Sequence, residues 1–408
     1  MDIKGADFYP SASGKNQLLR VSSMFDLNRK LLSIGLSLVV CGFSTSALKA
    51  QSPGLTSQYP ELAKLYNAFD VTQAGIFDSV ITINANPATE ESQIELQKHL
   101  NMMAKMTMHE MMAAGMNYGD AQMVMNSTYT ELETEARIVL GRTVKKTHSD
   151  TDAANAFYNS KLPTAVAEII SRGREFEREV ADIYASSGIS MMEKNQRVNA
   201  AADAYLSDPD KAVSDTPKSA DLYLRHAYMN GLKAAFPKLS GLMWSNQWLQ
   251  LASLEALVLG QVDPQFAGEV GVTLERYWNK IGSDTGMTMF PAPTEMPTVP
   301  AIAPQLYSQA PRAAVIIDNL NMFEVAVANI LAYPNAKNRQ PAIESVIVSF
   351  TVEDSDDADI EEYLTSALRG GIYNQGGPAI GALDQSERNR SRAGMDMQHQ
   401  MTMSVPNH

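Results

Sequence analysis

From residue 51 to about residue 370 the chain is a succession of helix-forming stretches, each cut off by Gly or Pro, with almost no apolar–polar alternation of strand type. That punctuation limits the fold more than any other feature. Segments rich in Leu, Met, Ala, Glu, Gln and Lys favour helix, Gly and Pro end them, and an all-α, multi-helix bundle follows. Residues 90–114 end at Gly115, and 120–146 place Glu131, Glu133 and Glu135 early and Arg142, Lys145 and Lys146 late, as the helix dipole prefers. Residues 152–187 are divided at Pro163, and 190–206, 219–236, 244–259, 263–281, 310–331 and 357–369 complete the series. The β-rich stretch 343–352 has no partner strand and is read as helix.

Two regions fall outside this pattern. Residues 284–311 concentrate proline (FPAPTEMPTVPAIAPQLYSQAP) and are expected to run extended between a helical domain at 51–283 and C-terminal helices at 312–385. Residues 386–408 are polar and charged apart from methionine and are expected to form a disordered, flexible C-terminal tail.

The N-terminus predicts export. Arg29 and Lys30 precede the apolar run LLSIGLSLVVCGF at 31–43, and small residues follow. That order is the layout of a signal peptide, and the run is shorter than the roughly 20 residues of a spanning helix. Residues 24–50 are read as the signal, cleaved after Ala50 with Ala47 as the alternative, and 1–23 as an extension from an upstream start codon. The mature chain is placed in the periplasm with no transmembrane span. Leu38-Val39-Val40-Cys41 resembles the lipobox of bacterial lipoproteins, which would lipidate Cys41; Val40 departs from the small residue that pattern has before Cys.

Composition narrows the function. A formal charge of −13 without a basic stripe argues against a nucleic-acid partner. With 45% hydrophobic and 19% charged residues the chain is not disordered as a whole. Its single Cys excludes a disulfide framework. G-x-S-x-G, P-loop and G-x-G-x-x-G patterns are absent. His109-Glu110 fails the zinc-protease pattern because Ala113 stands where the second His belongs. The acidic run at 354–362 lacks calcium-loop spacing and reads as a helix start. Arg172, Arg174 and Arg178, alternating with Glu175, Glu177 and Glu179, read as a solvated face of i,i+4 pairs. His226, Trp244 and Trp248 read as packing residues.

The chemistry that stands out is methionine: 23 Met against 1 Cys. In the tail, Met395, Met397, His399, Met401 and Met403 alternate symmetrically about the imidazole. Thioether and imidazole donors suit Cu(I), and thioethers, unlike thiols, form no disulfides in an oxidising compartment. The segment resembles the methionine-rich, His-containing segments of bacterial periplasmic copper-resistance proteins, which implies copper as the bound ion. A second candidate stripe is His99, Met102, Met103, Met106 and His109, at helical spacing. Its competing reading is a Met-rich packing face or a groove for an envelope protein partner. Three functions fit these residues: a Cu(I)-binding protein for sequestration or transfer, a structural or interaction protein of the envelope, and a helical enzyme whose site is assembled from residues distant in sequence.

Overall fold

The computed structural model describes residues 54–103, 127–219, 221–224, 228, 230–282, 296–334, 339–351 and 357–369. All of them belong to one compact unit. Among the described residues the structure is helical and has no β-strand, and one isolated antiparallel bridge joins Lys218 to Asp357. The longer helices are α1 (Pro60–Asn84), α2 (Glu90–Met103), α3 (Ser127–Val144), α4 (Thr164–Ala185), α5 (Met191–Leu206), α6 (Pro237–Val262), α7 (Glu269–Gly282), α8 (Pro311–Ala332), α9 (Arg339–Thr351) and α10 (Ile360–Arg369).

Helices α6 and α8 form the centre. Both are buried all round over most of their length, as expected of helices with no polar stripe. Helix α6 packs on α1, α3, α4 and α7, and α8 packs on α1, α4, α5 and α9. By length and hydropathy α8 could cross a membrane, but here 94% of its apolar window is buried by the protein's own helices. It also carries Asp318, Asn319, Asn321, Glu324 and Asn329, all buried. Trp244 and Trp248 are buried core residues of α6.

Four corners share one construction. At Tyr59-Pro60, Phe236-Pro237, Ala303-Pro304 and Ala310-Pro311 a helix ends two residues before a proline, a single residue intervenes, and the proline opens the next helix. The proline ring denies its predecessor the right-handed helical conformation, so these residues sit at φ −127 to −143° and ψ 57 to 67°. Each still donates its N–H to the carbonyl four residues back, at 2.7–2.8 Å. Proline at the first position then removes one donor that would have had no acceptor.

The next donors are satisfied from far away. None of the helices starting at Leu55, Pro237, Val299 and Pro304 has a side-chain cap from its own N-cap residue. Instead, Lys238 and Leu239 N–H donate to Glu133 Oε1 at 2.5 and 3.0 Å. Gln305 and Leu306 N–H donate to the Glu255 carboxylate at 3.0–3.1 Å. Val299 N–H donates to Asp318 at 2.9 and 3.0 Å, and Leu55 N–H to Asp182 Oδ1 at 2.8 Å. Gly54 suits the last of these, since a Cβ there would lie 2.2 Å from Asp182 Oδ1 and would displace the capping carboxylate. These acids are caps delivered in three dimensions. Burial raises the Glu133 carboxyl to about 8, against the lowering effect of the two N–H bonds. Both N–H bonds fall on Oε1 of that carboxyl.

Several boundaries differ from expectation. The helix expected over 219–236 is two short helices, Asp221–Leu224 and Gly231–Ala235, with Asn230 left-handed (φ 59°) between them, a conformation Asn tolerates. The expectation that the proline-rich segment runs extended fails where it is described. Val299–Ile302 and Pro304–Gln309 are short helices, because their prolines occupy first-turn positions. Residues 343–351 fall on helix α9, as expected, and Val348 there is 54% exposed. Residues 1–53, 104–126 and 370–408, which include the signal peptide, the inner part of the methionine cluster and the tail, lie outside the described residues.

Removing one distant cap tests this account. Glu133→Ala leaves the Lys238 and Leu239 N–H groups without acceptors and is expected to destabilise the fold by about 1–3 kcal/mol, read as a lowered urea midpoint. An unchanged midpoint would show that the cap carries no stability.

Candidate functional site: a buried charge network between four helices

Helices α1, α4, α6 and α8 meet around one guanidinium. Gly173 of α4 lets α8 come close, since a Cβ there would sit 2.6 Å from Leu320 Cδ1. The next residue, Arg174, points into the gap and uses all five of its N–H donors. Nε donates to Glu324 Oε1 at 3.0 Å, and Nη2 to Glu324 Oε2 at 2.6 Å and Asn321 Oδ1 at 3.3 Å. Nη1 donates to Glu177 Oε2 at 2.6 Å and to Gln250 Oε1 at 3.0 Å. Glu324 also accepts from Gln73 Nε2 at 2.9 Å and Gln247 Nε2 at 3.2 Å. The side chains of Arg174, Glu177 and Glu324 are 3%, 1% and 0% exposed, so bulk water screens none of this.

At the edge of the network Arg178, partly exposed, pairs closely with the buried Asp70. Burial drives the Asp70 carboxyl up to about 7, and the two nearby guanidiniums, Arg178 first, oppose that rise. Burial likewise raises Glu177, against the pull of Arg174. The Arg174 guanidinium is held more firmly charged than usual, because Glu324 and Glu177 outweigh its burial. Tyr66 and Ser253 share a hydrogen bond of 3.1 Å beside these groups. Chemically, the arrangement fixes four helices and stores charge away from solvent.

The sequence reading of this region needs correction. Arg174 and Glu177 are not on a solvated face; only Glu175 and Glu179 of that run are exposed. The missed signal is positional. Val166, Ile170, Gly173, Val180 and Tyr184 form the buried stripe of α4, and Glu177 falls on it three residues before Val180. The polar residues that interrupt the apolar sequences of α6 and α8 are the partners.

The candidate metal ligands lie elsewhere. His99 is half-buried in α2, and Met102 and Met103 occupy backbone positions three and four residues further along its last turn. Met106, His109, Met395, Met397, His399, Met401 and Met403 lie outside the described residues, as does His226. Among the described residues no three His, Cys, Asp or Glu side chains are gathered as a metal site. The acidic run near 357 is occupied structurally: Asp357 pairs with buried Lys218 at 2.5 Å, Asp359 caps Glu362 N–H at 2.7 Å, and Glu362 accepts from Ser219 Oγ at 2.9 Å.

No family model, no curated protein and no solved structure matches this chain.

Arg174→Met tests the network directly. It leaves Glu324 and Glu177 buried without a counter-charge and is expected to cost roughly 3–5 kcal/mol. Arg174→Lys, a point charge that cannot reproduce the five-donor fork, should restore only part of this in the same urea unfolding assay.

Proposed function

We propose that the protein is an exported, periplasmic envelope protein that binds a soft metal ion, Cu(I), for sequestration or transfer. The observation that carries this reading is the donor array Met395, Met397, His399, Met401 and Met403. Thioether and imidazole are the donor types a soft monovalent copper ion takes, and alternate spacing lets a short segment wrap one ion. Cleavage after Ala50 removes Cys41, the chain's single Cys, so no thiol competes for the metal. The stripe of His99, Met102, Met103, Met106 and His109 is a second candidate site; its described part begins at His99, one helical turn from Met102 and Met103.

A second reading, an interaction protein of the envelope, is favoured by one observation. The helix that leads into the methionine cluster leaves Ile94 45% exposed, and methionine-rich helical surfaces adapt to partner proteins.

A Cu(I) competition titration of the purified chain separates the two. The copper reading expects stoichiometric tight uptake that is largely lost when residues 391–408 are deleted or when His399 and the four tail methionines are replaced by Ala and Leu. Far-UV circular dichroism and the urea midpoint should stay unchanged in these variants. Absence of a tight site in the intact chain would end the copper reading and leave the interaction protein.

A further inference from the structure

The buried triad at Arg174 is out of balance. Two carboxylates, Glu324 and Glu177, flank one guanidinium, and all three side chains are at most 3% exposed. With every group ionised, the closed space would hold one negative charge too many, a state that buried surroundings strongly disfavour.

The hydrogen bonds identify the carboxyl that departs from the ionised form. Glu324 receives four N–H donors on its two oxygens, from Arg174 Nε and Nη2, Gln73 and Gln247. That leaves little room for a proton. Glu177 is held through Oε2 alone, while its Oε1 is buried and meets no donor. A bare, buried carboxylate oxygen is costly; a protonated one becomes a donor. The same core contains two buried acceptor oxygens that meet no donor, Gln73 Oε1 and Gln247 Oε1.

One further positive charge, Arg178, faces Glu177, but it comes with the Asp70 carboxylate, so Arg174, Arg178, Asp70, Glu177 and Glu324 together still sum to one negative charge when all are ionised. The ionisable groups facing Glu177 are Arg174 and Arg178 on its own helix, Tyr66 and Asp70 from α1, and Glu324 from α8. Arg178 is engaged by Asp70. Helix α6 contributes Gln247, Gln250 and Ser253 here, all uncharged.

We propose that Glu177 is a buried proton-binding site: the native protein carries one proton on this carboxyl at neutral pH, taken from solvent on folding and returned on unfolding. The raised affinity of Glu177 for a proton, caused first by burial, has the sign this requires. Linkage then fixes the direction of the pH effect. The unfolded chain releases this proton above the ordinary glutamate range, near 4.3, and the folded chain retains it to higher pH. The stabilisation is full at acid pH and is lost as pH rises through the native titration. Over that window one proton amounts to a tenfold change in the folding constant per pH unit. Asp70, Glu133, Glu255 and Asp318 are also raised by burial, to about 7, 8, 7 and 7. They bend the pH profile in the same direction, so the informative quantity is the difference between wild type and a variant.

The test uses the full chain and three proteins: wild type, Glu177→Gln and Glu324→Gln. Gln at 177 mimics the protonated acid. It should fold, and its stability relative to wild type should rise with pH by up to tenfold in folding constant per unit. Glu324→Gln, which removes the needed counter-charge, should be destabilised at every pH. Infrared spectra of protein labelled with carbon-13 glutamate should show, at pH 7, a protonated carboxyl C=O band that loses part of its intensity in Glu177→Gln. The proposal is overturned if the band is unchanged in that variant, or if Glu177→Gln unfolds or loses as much stability as Glu324→Gln. It is also overturned if wild-type stability follows the identity of sodium or potassium instead, which would place a metal cation where the proton is assigned.

Discussion

The Arg174 guanidinium is the point on which the helical packing turns. Five donors in a rigid plane reach Glu177 on its own helix, Gln250 on α6, and Asn321 and Glu324 on α8, while Gln73 of α1 joins through Glu324. Apolar packing alone tolerates rotations and slips between helices. A fully used guanidinium tolerates very few, because each misplacement leaves a buried donor or acceptor bare. The network therefore adds registry to a core whose bulk stability comes from apolar burial around α6 and α8.

The proline corners and the distant caps answer a related problem. Tight corners deep in a helical core expose backbone N–H groups where water cannot serve them. Proline deletes the first donor, and an acid from another helix accepts the next two at Pro237 and Pro304. Burial raises both of these acids, and Asp318 with them, while the N–H bonds they accept pull the other way.

Much of the helical plan was legible because its signals are local. Ser190 caps Glu193 N–H at 3.2 Å, where the chain had suggested a start, and Pro163 divides the helices on either side of it. Leu206 and Ala332 end helices beside the Pro209 and Pro334 that announce them. What was not legible is whatever depends on a partner far along the chain. Proline at 300 and 304 looked like a barrier to helix, because a run of prolines carries no sign of which one opens a turn. Arg174 looked solvated because its partners Gln250 and Glu324 lie on α6 and α8, 76 and 150 residues away, and Glu177 because its partner is Arg174 itself. The methionine array of the tail is a purely local pattern and was visible at once.

Glu133 stands 105 positions from the N–H it caps, and Asp182 stands 127 positions from Leu55. A first turn held in this way cannot persist while its acid is elsewhere, so helix starts and helix docking are one event. The ends of these helices, which in most proteins fray independently, are tied here to the docking of other helices. Their amide hydrogens should exchange with solvent only as fast as the packed helices separate, and the molecule should open as a block rather than from its corners.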